Sequence, residues 1–364
     1  MLEIRFATIG TSKITRNFLS AASNVPEFKL EAVYSRNIKN AEEFGNSYGV
    51  TKFYDNLTSL AEDSTIDAVY IASPNAFHCS QAIQMMKAGK HILCEKTIAS
   101  NQKEAEEMFR TASENHVILL EAMRSVFDPG MNAVKANMNK LGVIRRATVN
   151  YCQYSSRYDS FLQGQDHNIF RRDCSAGALM DIGTYCVHGL LCLFGKPQQV
   201  VGFSDMIRGD IDGAGTILAK YPDMIAEVEY SKITNSKVPS EIQGEKGIML
   251  IHEINCLENV KIIYNDGTEE VVYFRNKENN MKYELEHFIR MVHVQEQNQL
   301  HTQRSLDAIE LMDEIRRQCH ISFPADKEIE SLNLIFLPDF SDFYFLLKIW
   351  SKIISYTSST IFKI

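Results

Sequence analysis

Ile4-Arg5-Phe6-Ala7-Thr8-Ile9-Gly10-Thr11-Ser12-Lys13-Ile14-Thr15 is the stretch on which the fold turns. A short apolar run reaches a glycine and passes directly into a helical pattern at 14–23. Such a run, bounded by a turn, reads as a strand covered on both faces, with the next helix lying across its sheet. The alternation recurs downstream. Apolar runs at 30–34, 67–72, 91–94 and 117–121 interleave with helical patterns at 39–48, 57–62, 77–88 and 102–115. These are repeated βαβ units, so residues 1–125 are expected to form a doubly wound α/β domain of the Rossmann kind with a parallel sheet.

Beyond Phe127-Asp128-Pro129-Gly130 the pattern changes. One helix at 130–140 precedes strand-like runs at 143–153, 199–206, 214–220, 225–232, 238–243, 247–251, 259–264 and 269–273. Tyr221-Pro222-Asp223 and Asn265-Asp266-Gly267 supply tight turns between neighbouring runs, a hairpin signal. Residues 126–328 are therefore expected to be an α+β domain with a large, mostly antiparallel sheet. Helices at 176–194, 281–297 and 303–318 are expected to cover one face of it. The remaining 329–364 form an aromatic-rich extension holding the single Trp350. An extra docked helix, a membrane-surface helix and a poorly ordered tail all fit that composition.

The 364 residues, 45% hydrophobic and 23% charged, exclude a disordered or fibrous chain. Lys plus Arg number 38 against 46 Asp plus Glu, a formal charge of -8. That balance argues against nucleic acid as a partner. Eight cysteines contain no CxxC pair, and the ten histidines no HExxH, so no metal site is expected. Met1 to Phe6 carries no charged leader with an apolar stretch, and Lys348 and Lys352 interrupt the C-terminal apolar run. The expectation is a cytoplasmic protein with free thiols and no membrane span.

At the first βα turn, Gly10, Thr11, Ser12 and Ile14 are the candidates for a dinucleotide's pyrophosphate, which favours helix N–H groups. Only Gly10 matches the glycine fingerprint, since Ser12 and Thr15 replace the others; any tight βα turn would also use that glycine. The second strand ends at Tyr34-Ser35-Arg36-Asn37, with no acid to take the ribose hydroxyls. Ser35 offers a hydroxyl and Arg36 a guanidinium for a 2′-phosphate. NADP(H) is thus favoured over NAD(H), which stays possible; Arg36 as a plain surface arginine is the alternative. In the second domain, Asp181, Tyr185 and His188 fall at i, i+4 and i+7, one face of a helix. They either satisfy one another in the core or line a cleft.

Ala72-Ser73-Pro74-Asn75-Ala76-Phe77-His78 and Ala88-Gly89-Lys90-His91-Ile92-Leu93-Cys94-Glu95-Lys96-Thr97 make the reading specific. A Pro-Asn turn followed by His, then Gly-Lys-His and Glu-Lys, resembles the Gfo/Idh/MocA oxidoreductases, with Thr97 where the family has proline. The resemblance covers roughly 3–327 and implies a cofactor contact at Ser73, Pro74, Asn75, His78, Glu95 and Lys96. It also implies catalysis by Lys96, Asp181 and Tyr185. The run Asp181-Ile182-Gly183-Thr184-Tyr185-Cys186-Val187 is most similar to the dimeric dihydrodiol dehydrogenase branch, in which Glu121 and Arg124 would border the cleft. Substrate candidates are Arg124, Tyr158, Arg171, Asp181 and His188.

Hydride transfer to or from a carbinol carbon needs a proton moved at its oxygen. A free tyrosine titrates near 10, and an ammonium such as Lys96 favours its phenolate. The expected activity is NADP(H)-dependent oxidation or reduction at a hydroxyl or carbonyl of a sugar, polyol or related diol, in a homodimer or homotetramer. A trans-dihydrodiol dehydrogenase and a non-catalytic NADP(H)-binding regulator are the rivals.

Overall fold

The computed structural model describes residues 3–275 and 278–327; the expected extension at 329–364 lies outside them. The first sheet contains β1 (Ile4–Ile9), β2 (Phe28–Tyr34), β3 (Lys52–Tyr54), β4 (Ala68–Ile71), β5 (His91–Glu95) and β6 (Leu119–Ala122). Its order is β3-β2-β1-β4-β5-β6, with every pair parallel. This is the doubly wound arrangement, in which ligands sit where the order reverses, outside the carboxyl ends of β1 and β4. The sequence shows five of these strands; β3 is three half-buried residues, too short to carry a pattern.

Helices α1 (Lys13–Ala22), α2 (Ile38–Asn46), α3 (Leu57–Glu62), α4 (His78–Lys87) and α5 (Gln102–Glu114) cover both faces of this sheet. Asn side chains at 37, 56 and 101 cap α2, α3 and α5 by accepting backbone N–H bonds, which satisfies otherwise orphaned donors. Two short helices, α6 (Arg124–Phe127) and α7 (Pro129–Asn137), lead to the second sheet.

That sheet holds β7 (Ile144–Cys152), then β8 (Gln199–Ile207), β9 (Ile211–Lys220), β10 (Ile225–Ser231), β11 (Ser240–Gly244), β12 (Gly247–His252), β13 (Asn259–Tyr264) and β14 (Glu269–Phe274). Its order is β14-β13-β12-β11-β7-β10-β9-β8. All pairs are antiparallel except β7 with β10. Between β7 and β8 run α8 (Tyr158–Leu162), a π-helical turn at Leu179–Gly183 and α9 (Thr184–Phe194); α10 (Met281–Val294) and α11 (Gln299–Gln318) follow β14.

One expectation fails here. Leu285, Phe288, Ile289 and Val292 of α10 join a core with Phe6, Phe18, Val33, Phe44 and Tyr70, on the first sheet. The Phe6 and Phe288 rings lie 5.8 Å apart. A parallel sheet must bury both faces, and α10 completes the face that α1 and α2 leave open. Periodicity locates an apolar stripe but not the sheet it meets. The opposite core runs without a break from Ile92 and Met108 through Leu179, Val187 and Leu190 to Val228, Ile309 and Met312. The two regions read as separate domains thus share one core, and Met1–Phe323 form one compact unit. One segment among the described residues, Arg172–Phe194, is long and apolar enough to cross a membrane, yet 78% of its apolar window is buried.

Candidate active site

A cleft of about 620 Å³ opens at the carboxyl ends of the first sheet, within the usual range for small-molecule sites. Gly10 makes its floor possible. With φ +110°, a Cβ there would lie 2.7 Å from the Ala72 carbonyl oxygen, so β1 and β4 approach each other only through glycine. Ser12 stands in extended conformation before α1 without a side-chain cap bond, leaving the first N–H groups of the helix free for an anion. Ser12 and Ile14 line the cleft, as do Ser73, Pro74, Asn75, Glu95 and Lys96.

Other expected cofactor residues are not in the lining of this cavity. Thr11 is half-buried outside the lining. Ser35 accepts the Asn37 N–H at 3.4 Å, and exposed Arg36 stands over the Phe77 ring at 5.9 Å. Both are at the β2 end, on the rim away from the lined cavity. His78 is buried completely: its Nδ1 is 2.9 Å from the Thr97 carbonyl oxygen and its Nε2 2.8 Å from that of Ser73. It clamps two turns that line the cleft and does not face the cleft itself. Lys90 is likewise structural, donating to the Asp63 and Ile66 carbonyls at 2.7 and 2.9 Å, while His91 Nδ1 accepts the Ile118 N–H.

The centre of the cleft is an ion cluster. Lys96 Nζ donates to Asp181 Oδ1 at 2.7 Å and to the Asp181 carbonyl oxygen at 2.8 Å. Tyr185 lies beside them, its ring centre 5.0 Å from Lys96 Nζ and 5.7 Å from the Arg124 guanidinium. The Tyr151 ring meets it edge-on at 5.7 Å. Sequence reading missed a third member. Lys232 Nζ donates to Asp181 Oδ2 at 2.5 Å from a side chain only 2% exposed.

Burial works against the Asp181 charge, but Lys232 and Lys96 together hold its pKa far below the carboxylate range. Lys96 would be discharged by burial alone; Asp181 and then Tyr185 reverse that and hold it up. Burial pushes the Tyr185 phenol above 10, with Lys96 and Arg124 pulling back only in part. The expected balance is therefore corrected: at neutral pH Tyr185 keeps its proton and is ready to donate it.

Asp212 fixes the backbone that carries these groups. Its Oδ2 accepts the Leu179 N–H at 2.6 Å at the head of the π-helical turn, and a Cβ on Gly177 (φ +136°) would meet its Oδ1 at 2.0 Å. The expected helix at 176–194 thus begins with a wider turn, and the stripe divides. Asp181 and Tyr185 face the cleft, whereas His188, 1% exposed, lies 3.3 Å from Glu121 Oε2 in the core. Glu121 is also interior, accepting from Ile98 N–H and Ser305 Oγ. Burial opposes its charge, but His188 and these donors keep its pKa below the ordinary value. Of the remaining substrate candidates, Arg124 stands behind Tyr185 without lining the cleft itself, and Tyr158 packs on Phe161 and Phe170. Arg171 is exposed and bound to Asp173. Gln153, Ser155, Ser156 and Asn168 form the facing wall in their place. Among the described residues, no cluster of three His, Cys, Asp or Glu could hold a metal ion.

Residues 4–123 match the oxidoreductase family with an NAD-binding Rossmann fold, and 136–250 match the GFO/IDH/MocA C-terminal domain. The chain belongs to the GFO/IDH/MocA oxidoreductases. Among members of this family, it is 42% identical over 329 residues to the scyllo-inositol 2-dehydrogenase (NADP(+)) of Bacillus subtilis, covering 89% of this chain and 99% of the relative. It is 25% identical over 340 residues to the trans-1,2-dihydrobenzene-1,2-diol dehydrogenase of Mus musculus, covering 90% of this chain and 100% of that one. Its fold is similar to that of KijD10, a 3-ketoreductase from Actinomadura kijaniata whose structure is in complex with NADP and TDP-benzene. There the TM-score is 0.80 at 23% identity, covering 88% of this chain and 100% of KijD10.

Proposed function

We propose that this GFO/IDH/MocA protein is an NADP(H)-dependent dehydrogenase of polyols, with an inositol-like cyclic polyol as its substrate class. The observation that carries the reading is the Lys96–Asp181 pair beside Tyr185, set in a cleft at the carboxyl ends of β1, β4 and β5. A regulator that only bound cofactor would have no use for a buried ammonium held against a phenol. The polar wall of Gln153, Ser155, Ser156 and Asn168 suits a substrate with many hydroxyls; an aromatic diol would leave those groups unpaired, at a cost.

The residues present fit a dinucleotide. The close approach at Gly10 and the uncapped start of α1 suit a pyrophosphate, with Thr11, Ser12 and Ile14 beside it. Ser35 and Arg36 fit a 2′-phosphate, and Ser73, Pro74 and Asn75 flank the inner half. Bound there, the nicotinamide supplies the acceptor or donor of hydride. The protein's part is the proton. Tyr185 gives its hydroxyl proton to the forming alkoxide in reduction and takes it back in oxidation. Lys96 orients that hydroxyl and offsets its charge, and Asp181 fixes Lys96 and accepts a bond from a substrate hydroxyl through its 35% exposed side chain. General acid–base help of this kind contributes on the order of 10²–10⁴ in rate.

Two measurements test this. Reduced-nicotinamide absorbance, followed with NADP+ or NAD+ and a panel of inositols, aldoses and aromatic trans-dihydrodiols, should rise fastest with an inositol and NADP+. A fastest rate on the dihydrodiol would replace this reading with the rival. In the same assay Arg36→Ala should raise the KM for NADP+ about tenfold or more, the worth of one charge-assisted phosphate contact, and leave NAD+ unchanged. Equal losses would remove Arg36 from the site.

We also assign a homodimer or homotetramer contact to the outer face of β8–β10, where Val201, Phe203, Leu218 and Ile225 are exposed together. An apolar patch of this kind marks an interface. Phe203→Glu should convert the assembly to monomer in sedimentation; an unchanged mass would place the contact elsewhere. The eight free thiols support a reducing, cytoplasmic location.

A further inference from the structure

Lys232 follows β10 in Ser231-Lys232-Ile233, with its backbone fixed on both sides. Its N–H donates to the Gly213 carbonyl at 2.8 Å, and its own carbonyl accepts the Ser155 N–H at 2.8 Å. The ammonium stands 4.9 Å from the Phe170 ring centre and 3.4 Å from the Ile169 carbonyl oxygen. Among the described residues its ion-pair partner is Asp181 Oδ2, and Asp212 acts on it from further away. Burying an ammonium costs several kcal/mol and persists only with excellent pairing. Charge balance does not require this one, because Lys96 already occupies Oδ1 and the Asp181 carbonyl. The Asp181 carboxylate is therefore shared between two ammonium groups, while Glu95 acts on Lys96 and Asp212 on Lys232 without a direct ion pair.

We propose that Lys232 is a positioning residue for proton transfer at Tyr185: by taking Oδ2 of Asp181 it leaves the Lys96 ammonium only half neutralised and free to act on the phenol. The proposal rests on the reading of Tyr185 as the proton-transfer group. Without Lys232, Asp181 would turn its whole charge on Lys96, and the phenolate would lose support. Tyr185 also faces Glu95 of β5, Arg124 of α6, Tyr151 of β7 and Tyr70 of β4, and none of these changes in the variants below.

The test reads Tyr185 twice. In the apoprotein, the ultraviolet phenolate signal is titrated with and without Tyr185→Phe, and the difference isolates that one residue. In the NADP+-loaded enzyme, kcat for polyol oxidation is followed against pH. Lys232→Gln should move both midpoints upward by about one pH unit, the lower end of what a lost neighbouring charge produces. Lys232→Arg should restore them. Asp181→Asn should move the phenol midpoint the opposite way, because both ammonium groups then lose their shared ion-pair partner; that variant keeps the proposal testable if Lys232→Gln does not fold. Unmoved midpoints in Lys232→Gln, even with a slower enzyme, would reduce Lys232 to packing, and an unmoved midpoint in Asp181→Asn would overturn the charge argument. A wild-type enzyme without polyol turnover would refute the functional reading, while the apoprotein titration would still decide the role of Lys232.

Discussion

A Lys96→Met enzyme is expected to oxidise polyol about 10²–10³-fold more slowly, the usual cost of removing one preorganised charge that supports the developing phenolate. Methionine keeps the buried stem of the lysine and removes its ammonium. The protein should still fold, because Asp181 retains Lys232 as a partner and is not left as a bare buried charge. The loss should fall on kcat. NADP(H) affinity, measured by quenching or calorimetry, should change little, since the α1 turn and the β2 rim are untouched. A variant with near-normal kcat would remove Lys96 from the chemistry, and one that bound cofactor tenfold more weakly would make it a cofactor ligand instead.

Tyr185→Phe should cost on the order of 10³ in kcat, within the range for a lost general acid–base. The ring stays, so its packing on Met123, Val126 and Tyr151 is kept. The pH dependence carries more information than the rate. Burial holds the phenol above its ordinary value, so below about pH 10 the deprotonated form is the minor one. Oxidation, which needs a proton acceptor, should therefore quicken with rising pH through the neutral range. Carbonyl reduction, which needs the proton, should be flat there and fall only in alkali. In Tyr185→Phe both slopes should vanish. A slope that survives the substitution would assign the proton to another group.

Five of the six strands of the first sheet were legible because each is an apolar run with a turn at both ends, and the turn at Gly10 admits no other residue where β1 passes Ala72. Helical spacing set Asp181 and Tyr185 on one face, the family resemblance added Lys96, and the structure brings those side chains together. Three features were not legible, for separate reasons. His188 was placed with Asp181 and Tyr185 by regular helical spacing. The π-helical turn offsets that stripe, and position 188 lies about 4.5 Å further along the axis, beneath the cleft. Lys232 is 51 residues from Asp181 in the chain, and a lysine at a strand end reads as a surface charge. Only its place after the apolar run of β10 was a signal. The wall from Gln153 to Asn168 is loop and short turn, where polarity is the rule and carries no direction.

Each half of the molecule owns only part of the ion cluster: Lys96 comes from the bend after β5, whereas Asp181 and Lys232 come from beyond residue 126. Further bonds cross the same seam, among them those from Asn75 to the Ser175 carbonyl, from Thr97 Oγ1 to the Met180 carbonyl and from Ser175 Oγ to Ser100 Oγ. The halves are consequently not modules that recombination could exchange. A chimaera taking its first 125 residues from a distant member would keep Asp181 and Lys232, yet its imported lysine would meet them only if the new turns also matched the backbone carbonyls of Ser175 and Met180.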